Sequence, residues 1–301
     1  MFVVRNHILD SPISYYAIYI ISRILPIGIC RRLGRVIALT VYLFSKKDRK
    51  GFAYNLSLAL NKSPRDDSIK KIIRKIFMNY GEYMADFFFL PQQPPHKIQQ
   101  SFAYLKGEPI IKKALARGNG VILLSAHIGN WEFGGAMMRL SDYPLAVVAL
   151  PHNTSATNTL VNRLREEKGI HVIEVDESPF SSIAILNHLR QNGVVAMVGD
   201  RDFFGNGKQI EFFGKKIRFP IGPVAIALAS GAAVIPAFVL KQPDGRYFGI
   251  LEDEIPLSKN GNRKDMIEKN LVKIARVFET YIRRYPDQWY TPDPITGTDA
   301  G

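Results

Sequence analysis

Two short stretches of this chain place groups able to move a proton or grip an anion directly after apolar runs. The first is Ser125-Ala126-His127-Ile128-Gly129-Asn130-Trp131-Glu132, which follows Val121-Ile122-Leu123-Leu124. The second is Gly199-Asp200-Arg201-Asp202, which follows Val194-Val195-Ala196-Met197-Val198. A histidine and a carboxylate at one place suit a reaction in which a hydroxyl must lose its proton as it attacks. A neutral imidazole takes the proton, and a carboxylate behind the ring fixes the tautomer and stabilises the imidazolium. No serine or cysteine nucleophile is then required.

The four-residue gap between His127 and Glu132 is weak evidence by itself, because His171 and Asp176 share it. Context separates the two pairs. His171 opens an apparent strand, whereas His127 ends one and precedes Gly129 and an Asn130 suited to cap a helix. On one continuous helix the side chains at 127 and 132 would stand ~140° apart. They can meet only if His127 lies on the loop and Glu132 in the first helical turn, which Gly129 permits. A capped turn around a hydrogen-bonded core histidine is the plainer alternative. At the second stretch, two acids and an arginine at a strand end imply a polar site or an ion-pair network, since burying them unpaired is costly. Phe203, Phe204, Phe212 and Phe213 nearby either line a groove for an alkyl chain or pack the core.

The elements that must position these groups follow from periodicity. Residues 1–100 read as helical, with Ile69, Ile72, Ile73, Ile76, Phe77, Tyr80 and Tyr83 forming one stripe over 66–89. Pro91, Pro94 and Pro95 then break the pattern and mark a boundary. From 101 onward, strands at 121–125, 145–150, 171–175, 194–199, 233–240 and 247–251 alternate with helices at 130–140, 153–168, 181–191, 220–230 and 265–284. That alternation predicts an α/β core over 101–301, a mixed and largely parallel sheet flanked by helices. Sites in such sheets gather at the carboxyl ends of strands, where both stretches fall.

Composition narrows the partners. The 301 residues carry 40 Lys plus Arg against 27 Asp plus Glu, a formal charge of +13. An anionic partner is expected. No nucleic-acid-binding signature accompanies the charge, and the lone Cys30 excludes an internal disulfide and a cysteine-rich metal site. The basic residues sit beside grease. The runs at 15–21 and 36–44 are apolar and tyrosine-rich, with Arg23, Arg31, Arg32 and Arg35 between them and Lys46, Lys47, Arg49 and Lys50 after them. Neither run reaches the ~20 residues of a spanning helix. Helices lying in a membrane interface fit this pattern, and a buried helix pair or one tilted membrane helix are the alternatives.

In order and spacing, several segments resemble the bacterial lysophospholipid-acyltransferase superfamily, in the branch of lipid A lauroyl/myristoyl and phosphatidylinositol-mannoside acyltransferases. They are Ala53-Tyr54-Asn55-Leu56, His127 through Glu132, Arg165, Gly199-Asp200-Arg201-Asp202, Glu211-Phe212-Phe213-Gly214, Pro220-Ile221-Gly222-Pro223, Gly231 to Pro236 and Pro286-Asp287-Gln288-Trp289. The resemblance implies an O-acyltransferase with His127 as base and Glu132 as its partner. It implies that Asn130, Arg165, Asp200, Arg201 and Glu211 bind substrate, with Arg165 against the acceptor's anionic headgroup. The donor would be an acyl carrier protein or coenzyme A thioester, and the acceptor a membrane glycolipid of the lipid A precursor type. A phosphatidylinositol mannoside or glycerophospholipid acceptor, or a catalytically silent membrane-binding relative, are the alternatives. The Gly-Asp-Arg-Asp form is nearer to the mannoside branch. No metal or bound cofactor and no nucleic acid are implied, and the place of work would be the cytoplasmic face of the inner membrane.

Overall fold

The computed structural model describes residues 11–90, 93–176 and 179–295. Of the three prolines read as a boundary, Pro91 lies outside the described residues, and Pro94 and Pro95 open the next helix.

Four helices come first: α1 (Pro12–Ile24), α2 (Ile27–Phe44), α3 (Lys46–Leu60) and α4 (Asp67–Phe89). Their limits follow local chemistry. The Ser11 side chain accepts the N–H of Ser14 to cap α1, Pro12 opens that helix, and Asp66 caps α4 through the N–H of Ser68. Helices α2 and α4 cross at Gly34 and Gly81, where a Cβ on Gly34 would stand 2.4 Å from the Gly81 carbonyl oxygen. The outer faces of α1 and α2 stay bare: Ile13 and Phe44 are each 82% exposed and Ile24 is 72% exposed. A buried helix pair is therefore not what forms. No helix among the described residues is long and apolar enough to cross a membrane.

After α5 (Pro95–Gln100), a seven-stranded sheet forms from β1 (Phe102–Lys106), β2 (Val121–Ser125), β3 (Leu145–Ala149), β4 (His171–Glu174), β5 (Val194–Val198), β8 (Ala233–Lys241) and β9 (Tyr247–Leu251). Its order is β1-β9-β8-β2-β5-β3-β4. The five strands from β8 to β4 run parallel, β9 runs against β8, and β1 runs with β9. All five residues of central β2 are buried, the continuous apolar run of a strand covered on both faces. The covering helices are α6 (Glu108–Leu115), α7 (Trp131–Leu140), α8 (Ser155–Glu166), α9 (Pro179–Arg190), α10 (Gly222–Ser230) and α11 (Arg263–Arg284). The expected α/β layer fold is thus present.

Two features differ from the sequence reading. The edge strand β1 and helix α6 lie where no element was expected, because a five-residue, half-exposed strand has no apolar run to betray it. The stretch after Asp202 forms a separate hairpin of β6 (Lys208–Phe212) and β7 (Lys215–Phe219). Its turn residues Phe213 and Gly214 both have positive φ, at 50° and 72°, as a two-residue hairpin turn of matching twist requires.

Candidate active site

Strands β2 and β5 are parallel neighbours in continuous register from Val121 opposite Val194 to Ser125 opposite Val198. The pairing continues one step further, where the Gly199 N–H donates to the Ser125 carbonyl at 2.8 Å. The same offset carried two residues past the strand ends sets His127 beside Asp200. The Asp200 Oδ1 accepts the His127 backbone N–H at 3.0 Å and lies 2.6 Å from the ring Nδ1. Its other oxygen accepts the indole N–H of Trp289 at 3.1 Å.

The His127 loop is pinned from three sides. Gly129 N–H donates to the Gln288 carbonyl, Asn130 N–H to the Val239 carbonyl, and Tyr290 N–H to the His127 carbonyl, at 2.9, 2.7 and 2.7 Å. Gly129 has φ +70°, and a Cβ there would fall 1.9 Å from the Val239 carbonyl oxygen. Only glycine fits that turn. Asn130 then caps α7 by accepting the Phe133 N–H at 3.0 Å.

The carboxylate behind the imidazole is therefore Asp200, and the expected pairing with Glu132 does not form. Helix α7 begins at Trp131, so Glu132 turns away from the loop and toward α8. Its Oε1 accepts from Arg165 Nη2 at 2.6 Å and Nε at 3.1 Å, a forked contact between two well-covered side chains. The Trp131 ring stands edge-on to His127 instead, with centroids 5.5 Å apart.

These environments set the protonation states. Burial lowers the His127 pKa, against the pull of Asp200, so the ring stays neutral below the usual histidine range. Burial pushes the Asp200 carboxyl up, but the charge and hydrogen bonds of His127 with the Trp289 N–H outweigh it and hold it below its ordinary value. Glu132 is likewise held down, because the Arg165 guanidinium overcomes its burial. Two further groups escaped the sequence reading. His152 is lowered to about 4 by burial and by Arg165. Lys168 is lowered to about 8 by burial, and its ammonium sits over the Phe87 ring, 4.6 Å from the centroid. Trp289 was visible in the sequence only as part of a motif, without a task.

A cavity of about 860 Å³ opens at His127. It runs between α7, with Gly134, Gly135, Met137 and Met138, and the sheet residues Leu123, Leu145, Val147, Ala196 and Val239. His127, Glu132, Arg165 and Arg201 share its wall with Phe203 and Phe204. The four phenylalanines thus divide. Phe203 stands edge-on to His127, with centroids 6.1 Å apart, whereas Phe212 and Phe213 are buried in the main core. Arg201 is ion-paired to Asp293 at 2.6 Å. Three expected binding residues stand off the cavity wall. Asp200 lies behind His127, Asn130 turns its amide to the helix cap and Tyr247, and Glu211 sits exposed on β6 opposite Lys216. Asp200 and Asn130 are held by partners far along the chain, His127 and Tyr247, and Glu211 occupies an outward-facing hairpin position.

Residues 10–291 match the family of bacterial lipid A biosynthesis acyltransferases. The chain is similar to the phosphatidylinositol mannoside acyltransferase of Mycolicibacterium smegmatis, with 26% identity over 243 residues, covering 80% of this chain and 77% of that protein. It is also similar to the phosphatidylinositol mannoside acyltransferase of Mycobacterium tuberculosis, with 30% identity over 162 residues, covering 52% of this chain and 51% of that protein. With a histidine–aspartate pair at the mouth of an apolar cavity and a family match across nearly its whole length, this chain is an acyltransferase and belongs to the bacterial lipid A biosynthesis acyltransferase family.

Proposed function

We propose that this enzyme transfers a fatty acyl chain from an acyl carrier protein or coenzyme A thioester to a hydroxyl of an anionic membrane glycolipid. The observation that carries this reading is the His127–Asp200 pair at the opening of an apolar cavity of about 860 Å³. That space suits an alkyl chain held between α7 and the sheet. Nδ1 of His127 is engaged by Asp200, which leaves Nε2 to take the proton of the acceptor hydroxyl. The hydroxyl oxygen then bonds to the thioester carbonyl carbon, the carbon–sulfur bond breaks, and the imidazolium returns its proton to the departing thiolate. Asp200 fixes the tautomer and stabilises the imidazolium. Arg201, on the cavity wall, suits a phosphate-bearing acceptor, whereas the Arg165 guanidinium is held by Glu132 and Asn162.

Two acceptors fit. The family favours a lipid A precursor, and the named relatives favour a phosphatidylinositol mannoside. Docking would occur through α1 and α2, whose exposed Ile13, Ile20, Ile24, Val36 and Phe44 accompany Arg23, Arg32, Lys46 and Lys47. The cytoplasmic face of the inner membrane is the site of action this reading assigns. The test is mass spectrometry of lipids from cells with and without the gene. The acceptor should lose the mass of one acyl group in the deletion and regain it on complementation, and unchanged lipids in both would refute the assignment.

The pH dependence offers a separate check on the dyad. Activity should rise with pH as His127 loses its proton, with this limb below the ordinary histidine pKa because burial lowers it. Asp200→Asn removes the group that favours the imidazolium. The limb should then move to still lower pH while kcat falls about 10²-fold or more, since the tautomer is no longer held. A limb that stays in place or moves up would show that Asp200 does not act on His127.

A further inference from the structure

Away from the cavity, a run of buried polar groups connects the exposed helix α2 to the loop that bears His127. Arg31 of α2 donates from Nε to Asp86 Oδ1 of α4 at 2.7 Å. The hydroxyl of Tyr247 on β9 donates to the other oxygen of Asp86. That hydroxyl in turn accepts from Nδ2 of Asn130 at 3.1 Å. Asp86, Tyr247 and Asn130 are each no more than 2% exposed. The Asn130 amide is oriented at both ends, with Oδ1 on the α7 cap and Nδ2 on the tyrosine. One turn along α2, Arg35 meets Glu82, one turn back along α4. The opposite face of α2 exposes Ile29, Leu33, Val36 and Ile37.

We propose that Asp86 and Tyr247 are positioning residues for acyl transfer, and that with Arg31 they form a relay by which the seating of α2 on α4 fixes the His127 loop. The physical basis is the cost of a broken link. A carboxylate and an amide buried this deeply cannot turn to water when a partner leaves, so they move to find another. The residue that moves, Asn130, lies three positions from His127 and caps the helix that walls the cavity. Arg31 touches neither His127 nor that cavity, so an effect of Arg31 on turnover must be transmitted through the residues between them.

The test is a double-mutant cycle on the full chain with Tyr247→Phe and Arg31→Met. The readout is thiol release from palmitoyl thioesters of coenzyme A or acyl carrier protein, whichever the wild type turns over, with lipids extracted from the deletion cells as the acyl acceptor. Tyr247→Phe should lower kcat about tenfold with KM nearly unchanged, the scale that a small displacement of a catalytic group produces. Arg31→Met should lower kcat in the same direction by a smaller factor, and Arg31→Lys should restore part of it. The double variant should be no slower than Tyr247→Phe alone, because links in one chain are not independent. Factors that multiply, or an Arg31→Met variant with wild-type kcat, would overturn the relay. The inference rests on His127 being the base, so His127→Ala is measured in parallel. Its inactivity beside an unimpaired Tyr247→Phe would refute the relay alone.

Discussion

Replacing His127 by alanine is expected to lower kcat by about 10³-fold, the contribution of a positioned general base, with little change in stability. The second half of that expectation comes from the geometry. Asp200 is buried, and an uncompensated buried carboxylate would normally unfold the site. Here the carboxylate keeps two of its three donors in the variant, the backbone N–H of residue 127 and the Trp289 indole N–H. The loop also keeps its three backbone bonds to Gln288, Val239 and Tyr290. A steady-state assay beside a thermal melt tests both halves. Activity within tenfold of wild type in a folded variant would remove His127 as the base. Loss of the melt transition would mean that the ring, and not only its chemistry, holds the loop.

Arg165→Ala is expected to act mainly on folding, with a loss of about 3–5 kcal/mol because it strips a buried carboxylate of its partner. That corresponds to roughly 10 °C in the melting temperature. The pH dependence distinguishes this cause from loss of packing. In the wild type, Glu132 is held below its ordinary pKa. Its contribution is therefore present at neutral pH and lost as pH falls through the carboxylate range. Without Arg165, burial dominates and raises the Glu132 pKa above its unfolded value. The sign reverses, and the variant should regain stability relative to the wild type as pH is lowered from 7 to 5. The nearby Lys168 ammonium also favours ionised Glu132 and sets a limit on the penalty. Denaturant unfolding at the two pH values is the measurement. A deficit independent of pH would assign the loss to packing and free Glu132 of any part in it.

Local patterns were legible in the sequence and distant pairings were not. The strand at Val121–Ser125, the cap at Asn130 and the stop at Gly231 depend on neighbours along the chain, and each appears where the residues put it. His127 and Asp200 are both recognisable as site residues, yet the nearest carboxylate along the chain is that of Glu132. A five-residue separation can be evaluated from helical geometry, whereas a 73-residue one needs the order of strands, which no local rule supplies. The division of the phenylalanines has the same origin. Phe203 and Phe212 are alike as residues, and only the hairpin at 208–219 turns one into the core and leaves the other at the cavity. Trp289 makes the point at greatest range, since its indole reaches back across 89 residues to Asp200.

The alignment of β2 with β5 has a further consequence for how this protein can vary. The dyad is assembled by two strands counting in step, so the enzyme contains its own check on assembly. A slip of one residue between these strands would send one member of the pair to the opposite face of the sheet. Such a chain would be inert even if its core were otherwise filled. Length changes should therefore be eliminated between Val121 and His127 or between Val194 and Asp200. Turnover in this protein doubles as a readout of correct strand pairing.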